Sequence, residues 1–187
     1  MTTHTSRTAL ITGASRGLGL ALARRLAARG WTLIIDARSG EALEVTRQEL
    51  APYAQVTAIA GDVADAAHRA ALAAAAYDAG GLDALINNAS TLGPSPLPPL
   101  LDYPLDALEV VYRTNTLVPL ALLQAVRQAL KPGARVINVS SDASISAAPQ
   151  REQEREPDAW LPPCAAAHLP SLPLCARRGR ERRGGPG

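Results

Sequence analysis

The chain has 187 residues, 47% of them apolar and 19% charged, and a formal net charge of +2. This length suits one domain with a real core, or one domain plus a tail, and two cysteines exclude a small scaffold stapled by several disulfides. No run of about 18 uncharged apolar residues predicts a membrane span, and the polar start, Met1 to Thr5, does not resemble a secretory signal, so we expect a soluble cytoplasmic protein.

The first fifty residues predict two strand–helix units. An apolar run over 8–12 and another over 31–35 are typical of short, buried, parallel strands. Apolar side chains at helical spacing follow each run and predict helices over 17–29 and 41–50. Gly30 is expected to end the first helix, because glycine readily adopts the left-handed conformation that closes a helix.

The same alternation continues to residue 101. Apolar runs over 55–59 and 82–86 predict the third and fourth strands. Between them, Asp65 is expected to cap an Ala-rich helix that runs to Tyr77. The segment 90–101 contains four prolines, which interrupt helices and strands, and is predicted to be a loop.

A long helix over 105–130, bent near Pro119, is predicted next, followed by a turn over 131–133 and a fifth strand over 134–139. Strictly alternating strands and helices with short links indicate a parallel sheet covered on both faces. With right-handed crossovers, this pattern predicts an α/β fold with a Rossmann-type, doubly wound sheet of about five strands.

The composition changes near residue 143. Residues 1–143 carry 12 Lys+Arg and 12 Asp+Glu, whereas residues 144–187 carry 7 Arg, 5 acids and 7 Pro, with a single Ile and no Val. A segment so poor in β-branched aliphatic residues can hardly supply a buried strand, and its prolines interrupt long helices. We therefore predict an ordered domain over 1–143 and a disordered Pro/Arg/Ala-rich tail over 144–187.

A glycine-rich turn, Thr12-Gly-Ala-Ser-Arg-Gly-Leu-Gly19, joins the first strand to the first helix. Glycines there let the backbone turn sharply and approach a pyrophosphate, and the helix start offers free N–H groups and a positive dipole end. A tight turn without a ligand is the alternative, but a T-G-x-x-x-G-x-G at this place favours a dinucleotide-binding domain over 1–143. The predicted cofactor contacts are Gly13, Ser15, Arg16, Gly17, Leu18 and Gly19.

With this motif the sequence resembles the short-chain dehydrogenases/reductases, from about Thr8 to Ser141. Gly61-Asp-Val63 follows the third strand, where the family's Asp contacts the adenine, and Asn87-Asn-Ala-Ser90 follows the fourth, in place of the family's usual N-N-A-G. The resemblance implies further cofactor contacts at Asp62, Val63, Asn88 and Ala89. Read alone, Asp62 could equally be a helix-cap or turn residue, and the two asparagines could simply stabilise a turn.

Two catalytic residues follow from the resemblance. Asn115, within Arg113-Thr-Asn-Thr116, matches the family's Asn that helps to anchor a proton-relay water. Ser141, at the end of Asn138-Val-Ser-Ser141, matches the catalytic Ser that hydrogen-bonds the substrate carbonyl or hydroxyl. The alternatives are a core amide satisfied by neighbouring backbone for Asn115 and an ordinary Ser at a strand end for Ser141.

The cofactor can be predicted from charge, since a 2′-phosphate requires cations whereas a ribose hydroxyl favours a carboxylate acceptor. Arg16 and Arg38 match the basic residues of the family's NADP-preferring members, although either could be a solvated surface charge. Asp36 would weaken phosphate binding, but the family's NAD-selecting Asp should fall at Ala37 when counted from Thr12. We therefore predict NADP rather than NAD.

The catalytic half of the resemblance is incomplete. The family transfers hydride between nicotinamide and a carbonyl or alcohol with the help of a Y-x-x-x-K motif, whose Tyr acts as acid or base. Here the last tyrosine is Tyr112 and the only lysine is Lys131, so the chain contains no such motif. We expect impaired turnover, an unpaired sheet edge and poor stability, as in a truncated or frame-shifted family member whose substrate and oligomeric state the sequence leaves open.

Three functions remain open: an impaired NADP-dependent oxidoreductase, a catalytically dead NADP(H)-binding module, and a nucleic-acid-associated protein. The last would act through residues 177–183, which carry five Arg and one Glu; without aromatic residues, a solvated end is favoured. Cys164, His168 and Cys175 fit no usual zinc spacing, so no metal site is predicted.

Overall fold

Strands and helices alternate through residues 6–141, the part of the chain that the computed structural model describes. The strands are β1 (Thr8–Ile11), β2 (Thr32–Ala37), β3 (Val56–Ala60), β4 (Leu82–Asn87) and β5 (Leu130–Asn138). The helices are α1 (Gly17–Ala27), α2 (Gly40–Leu50), α3 (Ala66–Asp78), α4 (Leu105–Tyr112) and α5 (Val118–Val126). The division predicted at residue 143, the tail over 144–187 and the residues Cys164, His168 and Cys175 lie outside the described residues.

The five strands pair in parallel in the order β3-β2-β1-β4-β5. The chain therefore starts in the middle of the sheet, moves to one edge through β2 and β3, and then crosses to the other side for β4 and β5. This reversal of direction creates a crevice between the carboxyl ends of β1 and β4, where doubly wound sheets bind their ligands. The predicted Rossmann-type fold is confirmed.

Side chains of the central strands alternate between two cores, one on each face of the sheet. Ile11 and Ile35 pack with α1 and α2 on one face. Leu10 and Ile34 pack with α3 and α5 on the other. This alternation also decides which residues at the end of β2 face α3 and which face α2, and so it shapes the site described below.

The helix predicted over 105–130, with a bend near Pro119, is helical from residue 105 to residue 129 but is not α-helical throughout. A π-helical segment, Arg113–Leu117, separates α4 from α5, and a short 3₁₀ turn follows α5. The irregularity lies next to Pro119, which is in the first turn of α5. The buried stripe of α5, formed by Val118, Leu122 and Val126, packs in the same core as α3.

The fifth strand begins at Leu130, four residues earlier than predicted. Leu82 of β4 pairs with Leu130 and Ala84 pairs with Arg135, so the register shifts between these two positions. The predicted turn over 131–133 is thus an irregularity within a strand. At this end of the sheet, one carboxylate oxygen of Asp83 accepts hydrogen bonds from the Lys131 ammonium and from the N–H of Thr8, each at 2.8 Å.

Replacing Lys131 with Met is expected to lower the free energy of unfolding by about 1 kcal/mol at neutral pH. Burial acts to raise the pKa of Asp83, but the Lys131 ammonium and the Thr8 N–H outweigh it, so that this pKa is lowered. A carboxylate with a lowered pKa in the folded state stabilises the fold above its unfolded pKa and loses that contribution as the pH falls through the lowered value. Urea unfolding of both proteins at neutral and at acid pH tests this, with exposed Arg127→Met as the control; a difference that does not shrink in acid contradicts it.

Apolar surface is exposed at the β5 side of the described residues. Within 6–141, β5 pairs only with β4, and Val136, Ile137 and Val139 of this region are exposed. Leu117 and Leu120 are exposed nearby. None of the helices within residues 6–141 has the length and apolar character that crossing a bilayer requires.

Candidate functional site

A cleft with a volume of about 590 Å³ opens at the carboxyl end of the sheet. Its walls come from the loops that follow the first four strands and from the neighbouring helices α2 and α4. Nine of the predicted cofactor residues line it: Gly13, Ser15, Arg16, Gly17, Arg38, Asp62, Val63, Asn88 and Ala89. Lining residues that the sequence prediction missed include Ser39, Ala42, Gly61, Ser90, Thr91, Val110 and Thr114.

Two further predicted contacts, Leu18 and Gly19, do not line the cleft. Leu18 is half-exposed on α1. Gly19 is buried, and a Cβ atom built on it would collide with the carbonyl oxygen of Gly13 and lie 2.6 Å from Nδ2 of Asn88. The absence of a side chain at Gly19 therefore allows α1 to pack directly against the loop that starts at Gly13.

A network around Thr12 joins the loops after β1 and β4. Oγ1 of Thr12 accepts hydrogen bonds from the N–H groups of Asn88 and Ala89, both at 2.9 Å. In return, Nδ2 of Asn88 donates to the carbonyl oxygens of Thr12 at 2.9 Å and Gly13 at 3.1 Å. The Asn88 side chain thus holds the glycine-rich loop in place. Thr12 is buried, and only its place at the head of the glycine motif could have indicated this role.

Asp36 is buried under the glycine-rich loop. Its Oδ1 accepts the N–H of Gly13 at 2.9 Å, and its Oδ2 lies 2.9 Å from Nε2 of His68 on α3. Burial raises the pKa of Asp36, while the hydrogen bonds from His68 and Gly13 act in the opposite direction. The next residue, Ala37, belongs to the core on the α1–α2 face and also lines the cleft. The position where an NAD-selecting carboxylate was expected therefore carries a methyl group.

Two cations line the cleft. Arg16 precedes α1, Arg38 follows β2, and both are exposed. Neither makes an ion pair with another residue of the 6–141 region, in contrast to Arg24 and Arg47, which pair with Glu49 and Glu44. Two guanidinium groups without acidic partners make this end of the cleft suitable for a phosphate.

Asp62 has a structural role as well as a place in the cleft. Its Oδ1 accepts the N–H of Ala64 at 2.8 Å, as in an Asx turn, and the residue lines the cleft. The turn interpretation and the cofactor interpretation are therefore compatible. Val63, directly after it, is buried and contributes to the core on the α3 face.

The two predicted catalytic residues do not line the cleft. Asn115 lies in the π-helical segment, where its Oδ1 accepts the N–H of Thr91 at 2.9 Å and its Nδ2 donates to the carbonyl oxygen of Thr91 at 2.8 Å. Asn115 is exposed, so it is not a core amide. Ser141 is exposed beyond the end of β5. Asn87 ties the ends of β4 and β5 together, since its Nδ2 donates to Oδ1 of Asn138 at 2.8 Å.

Comparison with known proteins shows which family this chain resembles. A family model described as short chain dehydrogenase matches residues 7–152. The 1-deoxy-11-beta-hydroxypentalenate dehydrogenase of Streptomyces avermitilis is 34% identical over 142 residues, which are 75% of this chain and 52% of that protein. The chain thus spans about half the length of the curated relatives it matches.

Solved structures give the same match. The Pseudomonas aeruginosa RhlG/NADP active-site complex superposes with a TM-score of 0.69 at 35% identity, over 77% of this chain and 58% of that chain. An NAD+-bound xylitol dehydrogenase superposes with a TM-score of 0.69 at 27% identity, over 76% of this chain and 56% of that chain. Structures similar to this chain therefore include complexes with NADP(H) and with NAD+.

Proposed function

Because this chain belongs to the short chain dehydrogenase family, which its match over residues 7–152 shows, we propose that its cleft binds NADP(H). The observation that carries the proposal is the charge at the end of β2. Arg16 and Arg38 line the cleft, Ala37 stands where a ribose-binding carboxylate was expected, and Asp36 is engaged by Gly13 and His68. A 2′-phosphate would therefore meet two cations, while the Asp36 carboxylate, which also lines the cleft, is held by Gly13 and His68.

The rest of the cleft suits the remaining parts of a dinucleotide. The start of α1, at Gly17, presents backbone N–H groups to the cleft, and a helix N-terminus favours a pyrophosphate. Asp62 matches the family's Asp that contacts the adenine, and both Asp62 and Val63 line the cleft. Asn88 and Ala89 form the wall after β4, the side towards which the nicotinamide would extend. When bound, the nicotinamide supplies or accepts a hydride.

Arg38→Gln tests the cofactor preference. We expect the Kd for NADPH to rise about tenfold to a hundredfold, because one charged hydrogen bond to phosphate contributes roughly 1.5–3 kcal/mol. The Kd for NADH should stay within about twofold, since NADH lacks the 2′-phosphate. The measurement is a titration of nucleotide fluorescence, with Arg16→Gln as a second variant and Arg25→Gln, on α1 outside the cleft, as the control.

Each result of that titration has a defined meaning. Equal weakening of NADPH and NADH by Arg38→Gln would contradict a 2′-phosphate contact. Binding of neither nucleotide by the unmodified chain would contradict the proposed function itself. Tighter binding of NADH than of NADPH would reverse the proposed cofactor preference.

We infer two alternatives for the chemistry, which differ only in turnover. In the first, the chain is an oxidoreductase that acts weakly on a carbonyl or alcohol, with Ser141 contacting the substrate and Asn115 supporting a water. In the second, the chain binds NADP(H) without turnover. The absence of a Y-x-x-x-K motif from these 187 residues favours the second for this chain, because hydride transfer would lack its acid or base.

A further inference from the structure

A carboxylate and an imidazole lie together under the glycine-rich loop, and the proposed binding of NADP(H) does not use either of them directly. Asp36 is 1% exposed and His68 is 8% exposed. Their side chains meet at 2.9 Å, between Oδ2 of Asp36 and Nε2 of His68. Ionisable groups are rarely buried this deeply without a structural or functional reason.

The His68 ring lies against the loop after β3. A Cβ atom placed on Gly61 would collide with Nδ1 of this ring, so the absence of a side chain at Gly61 leaves room for the imidazole. The imidazole is thereby held with Nε2 directed at Asp36. The other carboxylate oxygen of Asp36 accepts the N–H of Gly13, the first glycine of the loop. The contact between the pair and the loop is therefore direct.

The charge of this pair matters for any phosphate held by the loop. An ionised Asp36 would place a negative charge immediately behind the loop, in a buried setting where charges are poorly screened. The titratable groups that act on Asp36 are His68 from α3 and Asp62 from the loop after β3. The neighbouring strands β1 and β3 contain no titratable residue. Uptake of a proton by the Asp36–His68 pair would cancel this negative charge.

We propose that Asp36 and His68 form a positioning pair for the cofactor loop, and that binding of the dinucleotide phosphates is coupled to uptake of a proton by this pair. This inference rests on the proposed function. Asp36 orients the Gly13 peptide, and the proton on the pair decides how much negative charge the phosphates meet. Nucleotide affinity then rises as the pH falls, over and above any effect of the nucleotide's own titration.

The direction of titration agrees with this coupling. Burial raises the pKa of Asp36 above its ordinary value, although the hydrogen bonds from His68 and Gly13 oppose the rise. A raised pKa means that the folded chain takes up a proton at a higher pH than a free carboxyl group does. An anionic ligand beside the pair raises that proton affinity further, and by linkage the proton tightens the binding of the anion.

Two substitutions separate charge from structure. Asp36→Asn keeps an oxygen that accepts the Gly13 N–H but removes the charge, so it should bind NADPH about threefold to tenfold more tightly than the unmodified chain near pH 8. His68→Gln removes the imidazole and should weaken binding at every pH. A purely structural role predicts that both variants bind less tightly. Asp78→Asn, an exposed carboxylate at the end of α3, is the matched control.

The experiment is a titration of the 187-residue chain and its variants with NADPH and NADH between about pH 5 and about pH 8. Calorimetry in two buffers of different ionisation enthalpy counts the protons taken up on binding, and NADH removes the contribution of the 2′-phosphate. Proton uptake with NADH that disappears in Asp36→Asn supports the proposal. Nucleotide binding without proton uptake, or weaker binding by Asp36→Asn, overturns it. A chain that binds neither nucleotide contradicts the proposed function and this inference together.

Discussion

Gly19→Ala is expected to remove measurable NADPH binding and to lower the free energy of unfolding by about 2–3 kcal/mol. The added methyl group would collide with the carbonyl oxygen of Gly13 and with Nδ2 of Asn88. Relief of the collision requires α1 to move away from the loop or Asn88 to give up its hydrogen bonds to Thr12 and Gly13. Either movement displaces the N–H groups that would face the pyrophosphate.

Gly40→Ala is the matched control for this substitution. Gly40 begins α2, and a Cβ atom there would meet only the Cβ of Ala60, at an ordinary van der Waals distance of 3.5 Å. Alanine also favours a helix more than glycine does, so this variant should keep or slightly raise the stability. Thermal unfolding and NADPH fluorescence measured on both variants decide the matter. Normal binding by Gly19→Ala would show that α1 and the loop are not packed as described.

The purified chain is expected to reduce ketones about 10²–10⁴-fold more slowly than a reductase of the family that contains the Y-x-x-x-K motif, which is the factor that a positioned acid or base typically contributes. All four tyrosines, Tyr53, Tyr77, Tyr103 and Tyr112, lie within the described residues, and none lines the cleft. Lys131 is engaged by Asp83 at the opposite end of the sheet. Neither member of a Tyr–Lys pair is therefore available at the cleft.

The test is NADPH oxidation by the chain with a panel of ketones, beside the rhamnolipids biosynthesis 3-oxoacyl-[acyl-carrier-protein] reductase of Pseudomonas aeruginosa. The chain should bind NADPH in the same preparation, so that slow turnover cannot be ascribed to an empty cleft. A turnover rate within tenfold of that of the Pseudomonas aeruginosa enzyme would contradict the prediction. In that event Tyr112→Phe and Tyr103→Phe would show whether one of these phenols replaces the missing acid.

Much of the fold could be predicted because its signals are local. Apolar runs such as Leu10–Ile11 and Leu33–Ile35 are buried on both faces of the sheet, as continuous apolar strands of a parallel sheet must be. Asp65 caps α3 as predicted, with its side chain accepting the N–H of Ala67. A bend near Pro119 was predicted, but not the π-helical segment beside it, in which Asn115 is hydrogen-bonded to Thr91, 24 positions away.

The candidate site, too, could be predicted only in part from the sequence. The glycine-rich loop was predicted from its place between the first strand and the first helix, and Arg38 from the resemblance to the family's NADP-preferring members. The place of Asp36 was not, because its partner His68 lies 32 residues away in an Ala-rich helix with no motif around it. Only the packing of α3 against β2 brings the two together. Their contact engages one carboxylate oxygen of Asp36, the residue that complicated the choice of cofactor.

The π-helical segment before α5 determines how α5 is rotated about its own axis, and therefore which of its residues face the core. An α-helix advances by about 100° per residue, so deleting one residue between 113 and 117 would rotate α5 by that angle. Leu122 and Val126 would then leave the core that they share with α3, and Leu120, now exposed, would turn towards a new direction. The same stretch holds Asn115 against Thr91 at the rim of the cleft. The π-helical segment therefore anchors the loop at Thr91 and also sets which side chains of α5 face the core.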